Sequence, residues 1–271
     1  MQLMSDHDLE LDLLLEAIYR KFHHDFRRYS RTSMRRRLEN ARIRFGCATL
    51  SDLQARLLHD ERVFPALMQD LTVQVTDLFR DPRYFRTLRE EIVPVLRTYP
   101  SVRVWIAGCS TGEEAYSFAI LLEEEGLLGN AIFYATDINP ASLRVAEAGL
   151  YPIDRLPAFT ENHKRSGAPG PLSVHYSAAY GSILFNRSLR QKIVFSDHSL
   201  ASDAGFAEMQ LISCRNVLIY FDRPLQNRAL GLFHESVCRR GFLGLGSRET
   251  LRFTDLDKDY VEVADRWYQR C

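Results

Sequence analysis

The chain has 271 residues, with 35 cationic and 35 acidic side chains and no formal net charge. Its 46% hydrophobic content is ordinary for a globular protein, so a full core needs no staples, and no global field draws it to nucleic acid or to a membrane. Five scattered cysteines (Cys47, Cys109, Cys214, Cys238 and Cys271), odd in number and without a CxxC pair, argue against a disulfide framework and a zinc site.

The opening run MQLMSDHDLELDLLLEAIYRKF interrupts its apolar residues with Asp8, Glu10, Asp12 and Glu16, and no basic leader precedes them. A secretory signal is therefore not expected, and no apolar run approaches bilayer-spanning length. A cytoplasmic protein, with no direct membrane insertion, is expected. Residues 1–98 read as a helical domain and linker. Leu9, Leu13 and Ile18 suggest a first helix capped by Ser5. Met34, Leu38, Ala41 and Phe45 line one face of a second helix, starting at Thr32 or Ser33 and stopping at Gly46. Ser51 and Gln54 suggest a capping box for a third, with Leu53, Leu57 and Leu58 buried.

The pattern changes near Tyr99-Pro100. Val102–Ala107 and Ala131–Thr136 read as buried strands, separated by a helix over 115–122, and Asn139-Pro140 opens another helix. Such alternation predicts a parallel sheet with right-handed crossovers. Residues 151–190 break the rhythm with prolines and glycines, and predict an inserted antiparallel hairpin or three-stranded flap, with candidate strands at 173–176 and 183–185 and then at 192–195. The α/β pattern resumes with a strand at 209–213, a helix from about Pro224, a strand at 242–245, and closing strands at 260–264 and 267–268.

Three strand ends carry polar residues. Gly108-Cys-Ser-Thr-Gly112 follows the first strand, and glycine lets a backbone come close to a ligand. The turn is not GxGxxG, and Glu113 and Glu114 would repel a pyrophosphate. They suit a ligand with a cationic ammonium or ribose hydroxyls, such as S-adenosylmethionine. Asp137, ending the next strand, is placed to accept both ribose hydroxyls. Taken alone, a tight turn and a helix cap account for these residues as well. The run Ser213-Cys-Arg-Asn-Val-Leu-Ile-Tyr-Phe-Asp222 leaves a third strand, with Asn216 and Tyr220 as site candidates and a capped helix start as the plainer alternative.

LTVQVTDLFRD (71–81), RVWIAGCSTGEEAYS (103–117), YATDIN (134–139) with AEAGLY (146–151), ISCRNVLIYFD (212–222) and GFLGLGSRETL (241–251) appear in an order that resembles the CheR family of chemotaxis receptor methyltransferases over nearly the whole chain. The resemblance implies an α/β protein. It would have an all-helical N-terminal domain and a Rossmann-like methyltransferase domain over 99–271, with a small antiparallel β-subdomain inserted at about 151–190. It implies transfer of a methyl group from S-adenosylmethionine to receptor glutamates, leaving S-adenosylhomocysteine and glutamate methyl esters. Carried over, the cofactor contacts are Gln74, Thr76, Arg80, Gly108, Glu114, Asp137, Ser199, Leu200, Arg215 and Asn216, with Arg80 and Tyr220 nearest the reacting methyl. The chain departs from the family where Gln74 replaces Asn, Ser199 replaces Asn, and Gly246-Ser-Arg-Glu249 replaces a GHSE-like run.

An arginine at position 80 suits a carboxylate, of substrate or cofactor, and a surface salt bridge to Asp77 or Asp81 is the plainer alternative. The helix bearing Arg35, Arg36, Arg37, Arg42 and Arg44 offers a basic face to an acidic partner, here the glutamate-rich cytoplasmic domain of a receptor. Nucleic acid is not expected as a partner, since neither a helix-turn-helix spacing nor a stacking aromatic array is present. No metal is expected, and a monomer is. A non-catalytic receptor-binding adaptor that keeps the cofactor pocket, and a methyltransferase for another substrate, are the competing readings.

Overall fold

The computed structural model describes residues 5–271. The chain forms two compact units. One takes the chain up to Val73 with Ser199–Ala204 and Leu218–Ala229, and the other takes Gln74–His198, Gly205–Val217 and Leu230–Cys271.

In the helical unit, α1 (Asp6–Phe22), α2 (Arg31–Arg44), α3 (Leu50–His59) and α4 (Val63–Leu71) pack α1 on α3 and α2 on α4. Ser5 caps α1 by accepting the Asp8 N–H at 3.2 Å. Its buried stripe is Leu11, Leu14, Leu15 and Ile18, whereas Leu9 and Leu13 are exposed. Leucines surround this helix, so leucine spacing alone does not choose the face. The acidic residues decide it, since they must stay in water. Helix α2 buries Met34, Leu38 and Ala41 as expected, and Gly46 ends it with φ +67°. The third helix starts earlier than expected. Thr49, not Ser51, is its cap, in a reciprocal box with Asp52, and Leu58 is exposed.

The break between units falls after Val73 rather than near Tyr99. Helix α5 (Pro82–Thr87), a π-turn at Leu88–Ile92 and α6 (Val93–Leu96) bury Phe85, Leu88, Ile92 and Leu96 in the core of the sheet unit. Its strands are β1 (Val102–Ala107), β2 (Ala131–Asp137), β6 (Ile193–Asp197), β7 (Met209–Cys214), β8 (Val237–Leu245), β9 (Tyr260–Ala264) and β10 (Trp267–Arg270). Their order is β6-β2-β1-β7-β8-β10-β9, parallel through β8, with β10 antiparallel between β8 and β9. Helix α7 (Glu113–Glu124) follows β1 and α8 (Pro140–Ala148) follows β2. Asn139 caps α8, accepting from Ala141 N at 2.9 Å. The chain runs outward from β1 to β2 and β6, then returns to β7 on the other side of β1. A ligand crevice opens at such a switch point, outside the carboxyl ends of the strands.

The insert differs from expectation. Its sheet, in order β3-β5-β4, consists of β3 (Leu150–Pro152), β5 (Ser182–Phe185) and β4 (Tyr176–Ala179). Residues 172–175 are a 3₁₀ turn, and the run at 193–197 pairs in parallel with β2 in the large sheet. A short apolar run carries no label saying which sheet it joins; pairing partners decide. Helix α9 (Leu156–Arg165) lies where a loop was expected, and the short helix α10 (Arg187–Arg190) follows β5. Glu124 Oε1, at the end of α7, accepts from His163 of α9 at 2.7 Å and from His175 at 3.2 Å, and Arg89 donates to its other oxygen at 2.7 Å. Glu123 accepts from the second ring nitrogen of His175 at 2.8 Å. Helix α11 (Arg223–Ser236) precedes β8.

Candidate active site at the carboxyl edge of the sheet

The turn after β1 is built from three left-handed residues: Gly108 (φ +77°), Ser110 (φ +51°) and Gly112 (φ +93°). The N–H groups of Gly108 and Cys109 both donate to Thr136 O, at 2.7 and 2.9 Å, which locks the turn against the end of β2. The glycines serve packing inside the protein. A Cβ on Gly108 would run into Val217, and one on Gly112 would stand 2.7 Å from the Ala146 Cβ.

Asp137 lies beside this turn. One carboxylate oxygen accepts the Ser110 N–H at 2.8 Å and the other accepts the Asn139 N–H at 2.9 Å. Burial pushes its pKa up, against the pull of the Asn139 and Ser110 amides. The Ile138 N–H bonds the carboxylate as well, which leaves it about one further acceptor lone pair. The neighbouring Ser110 hydroxyl is buried and has no hydrogen-bond partner among the described residues. A carboxylate acceptor and an unpaired hydroxyl at a switch point fit the hydroxyls and amines of a nucleoside.

The two glutamates at the start of α7 part company. Glu113 is fully buried and turns inward, accepting from the Thr111 hydroxyl at 2.7 Å and pairing with Arg155. It therefore does not face a ligand ammonium, as its place in the sequence suggested. Arg155 also donates to Thr76 O at 2.7 Å and meets Asp77 at 3.3 Å, tying the segment after Val73 to the turn. Glu114 accepts from the Ser213 hydroxyl at 2.7 Å and from Arg215 at 2.9 Å. Arg215 in turn donates to Asp81 at 2.7 Å and to Arg80 O at 2.9 Å, while its guanidinium lies 4.1 Å from the Tyr84 ring centroid. Tyr84 and Ser213 share a hydrogen bond at 2.9 Å.

Asp77 and Asp81 are thus engaged by Arg155 and Arg215, and Arg80 donates instead to Val75 O at 2.5 Å. The plainer alternative for Arg80, a surface pair with either aspartate, is not formed among the described residues. Asn216, at the end of β7, is left-handed at φ +60°. Thr76, Arg80, Gly108, Glu114, Asp137, Arg215 and Asn216 all belong to the sheet unit, with Gln74 exposed at its start. Ser199, Leu200 and Tyr220 belong to the helical unit. There the Ser199 N–H donates to Asp203 at 2.8 Å, Leu200 is buried, and the Tyr220 ring lies under the Arg37 guanidinium at 4.7 Å.

Four participants escaped the reading of the sequence as site residues: Asp81, Tyr84, Arg155 and Ser213. Arg155 sits in the irregular insert and carries no local signal. Asp81 and Ser213 lie beside residues that were singled out, and nothing in their spacing shows that Arg215 turns inward to meet Asp81 or that Ser213 donates to Glu114.

A family model described as the SAM-binding domain of CheR methyltransferase matches residues 74–266, and one for the all-alpha domain of the same enzymes matches residues 9–72. The chain belongs to the CheR methyltransferase family. S-adenosylmethionine is its cofactor and methyl transfer its class of reaction. Among curated proteins, this CheR-family chain is 55% identical to "Putative methyltransferase Cher3" of Pseudomonas putida, over 91% of this chain and 90% of that one. It is 29% identical to the chemotaxis protein methyltransferase of Listeria innocua, over 90% and 92% of the two chains. Among solved structures, the glycopeptide N-methyltransferase MtfA with bound S-adenosyl-L-methionine is 13% identical, with a TM-score of 0.37, over 63% of this chain and 54% of that one. No described helix is long and apolar enough to cross a membrane.

Proposed function

We propose that this chain methylates glutamate side chains on the cytoplasmic domain of chemotaxis-type receptors, forming glutamate methyl esters. The observation that supports the reading is a set of polar residues at the carboxyl ends of β1, β2 and β7, with Asp137 after β2 and Arg215 paired to Glu114, in a chain that matches CheR over both its parts. S-adenosylmethionine supplies a methyl group already activated on a sulfonium. A receptor glutamate is already ionised at neutral pH, so no general base is needed, and the protein's work is positioning and exclusion of water.

Asp137 keeps acceptor capacity for a ribose hydroxyl beside its three backbone amides, and Glu114 keeps one lone pair on each oxygen for a ligand donor. The side chain of Arg215 is held by Glu114, Asp81 and Tyr84, with its Nε buried and unpaired among the described residues, so its part is to hold the site's shape. Thr76, Gly108 and Asn216 contribute the backbone and amide edge, and Gln74 stands where the family has asparagine. Arg80, whose guanidinium donates to the Val75 carbonyl, is the group available to take a carboxylate. Ser199, Leu200 and Tyr220 enter this proposal through the resemblance alone, Tyr220 as the group that orients an oxygen or shields the methyl.

The relatives named for chemotaxis suggest the receptor as substrate. The basic helix is a narrower docking surface than its sequence implied. Arg35 pairs with Asp8, Arg42 with Glu39 and Arg44 with Asp70, and Arg37 is buried, donating to Leu71 O. Arg36 is exposed and has no ion pair among the described residues. Incubation with receptor and methyl-labelled cofactor, followed by alkali, tests the proposal. Label on receptor glutamates that alkali releases as methanol supports it; label that resists alkali, or that appears without receptor, sinks it.

A further inference from the structure

Beyond the cluster described above, the same strand edge holds a carboxylate that accepts from three backbone amides. Glu249 is almost fully buried. Its Oε2 accepts the N–H of Gly246 at 2.7 Å and of Asn216 at 2.9 Å, and its Oε1 accepts the N–H of Val217 at 2.9 Å. Asn216 and Val217 follow β7 and Gly246 follows β8, and these strands are parallel neighbours with Cys214 opposite Leu245. One side chain therefore ties together the carboxyl ends of two strands, at the edge where the site lies.

The backbone at Asn216 needs such a tie. Its φ of +60° is unfavourable for a residue with a side chain, although asparagine tolerates it better than most. Two successive N–H groups around a left-handed residue form a concave anion nest. Here the anion is supplied by the chain itself. Gly246 completes the arrangement, because a Cβ there would stand 2.5 Å from Glu249 Oε2 and 2.9 Å from Asn216 N. The carboxylate can seat only against glycine.

We infer that Glu249 is a positioning residue for cofactor binding: it holds Asn216 in its left-handed conformation and so aims the Asn216 amide into the site. This rests on the proposed reading of Asn216 as a cofactor contact. Glu249→Gln replaces one accepting oxygen with a donor that would face an amide N–H, at almost unchanged volume. Gly246→Ala displaces the carboxylate without removing it.

The experiment is a double-mutant cycle of Glu249→Gln with Asn216→Ala, read by calorimetry with S-adenosylhomocysteine, by the KM for S-adenosylmethionine against kcat, and by thermal melting. Glu249→Gln and Gly246→Ala are each expected to weaken S-adenosylhomocysteine binding about tenfold. KM should rise by a similar factor and kcat should stay within about twofold. The double variant should bind no worse than Asn216→Ala alone, because the two residues act in series. Full affinity with a lowered melting temperature would make Glu249 a stabilising residue only and overturn the inference, as would independent, additive losses. If Asn216→Ala alone leaves affinity unchanged, the reading of Asn216 fails, and a remaining Glu249→Gln loss then shows that Glu249 acts by another route.

Discussion

Helix α2 and the carboxyl edge of the sheet both draw on arginine, and they use it in opposite ways. On α2, Arg35, Arg42 and Arg44 sit in water or half in water, each against a nearby carboxylate. Such pairs contribute little to stability and leave each cation partly free to exchange partners. Arg215 is 2% exposed, held by Glu114 and Asp81 and laid over Tyr84. Out of water, a charge must have its partners, and losing one leaves the other stranded. Arginine count therefore says little about role; what surrounds each guanidinium says most of it.

The largest test of that contrast removes the buried member. Arg215→Ala should cost about 3–5 kcal/mol of stability by urea unfolding, because Glu114, only 14% exposed, is left without its cation. A loss below about 1 kcal/mol would mean that water reaches the site and the contrast is false. Arg80→Ala should leave S-adenosylhomocysteine affinity nearly intact while turnover falls roughly hundredfold, about 2.7 kcal/mol in barrier. An unchanged turnover would remove Arg80 from the chemistry. Third, Arg37 breaks the pattern of its own helix: although it lies among surface cations, it is buried, and burial pulls its pKa down. Arg37→Ala should destabilise the protein by about 1–3 kcal/mol, since Leu71 O loses its donor and Tyr220 its cation.

A smaller effect is expected of pH. Burial alone would push Glu124 up, but hydrogen bonds from His163, His175 and Arg89 hold it down at about 2. His175 is pulled down by burial, yet the bonds to Glu124 and Glu123 leave its pKa above the ordinary 6.5. A depressed carboxylate contributes stability above its ordinary 4.5 that is lost as pH falls toward about 2. A raised histidine contributes stability below 6.5 that is lost as pH rises through its folded pKa. The link between α7 and the insert should therefore be strongest between those two ordinary values. Melting curves across pH should show stability falling above that window, and His175→Gln should flatten the fall. The smallest effect on stability belongs to Arg36. Arg36→Glu should leave the melting temperature unchanged and lower receptor methylation at low salt, with the deficit shrinking as salt is added. Equal methylation at low and moderate salt would remove α2 from docking.

Much of the fold was legible because periodicity and punctuation act locally. The strands β1, β2 and β7, the Ser5 and Asn139 caps and the Gly46 stop all follow from neighbours within a few residues. The insert was misread because its runs are too short to announce partners. Leu150–Pro152 joined its small sheet, and the run at 193–197 left for the large one. At the site, the strand ends could be named in advance, since a switch point follows from strand order. Which polar side chains turn inward could not.

By itself, the sequence determined the family, the alternation of strands and helices, and the polar residues that end β1, β2 and β7. Only the tertiary structure decided that Glu113 faces Arg155, that Arg37 is buried while Arg36 is not, and that Glu249 binds three amides across two strand ends. The reason is physical: a charge or a strained φ is stabilised by groups distant in sequence. Those groups are brought near only when the sheet and its core close around them.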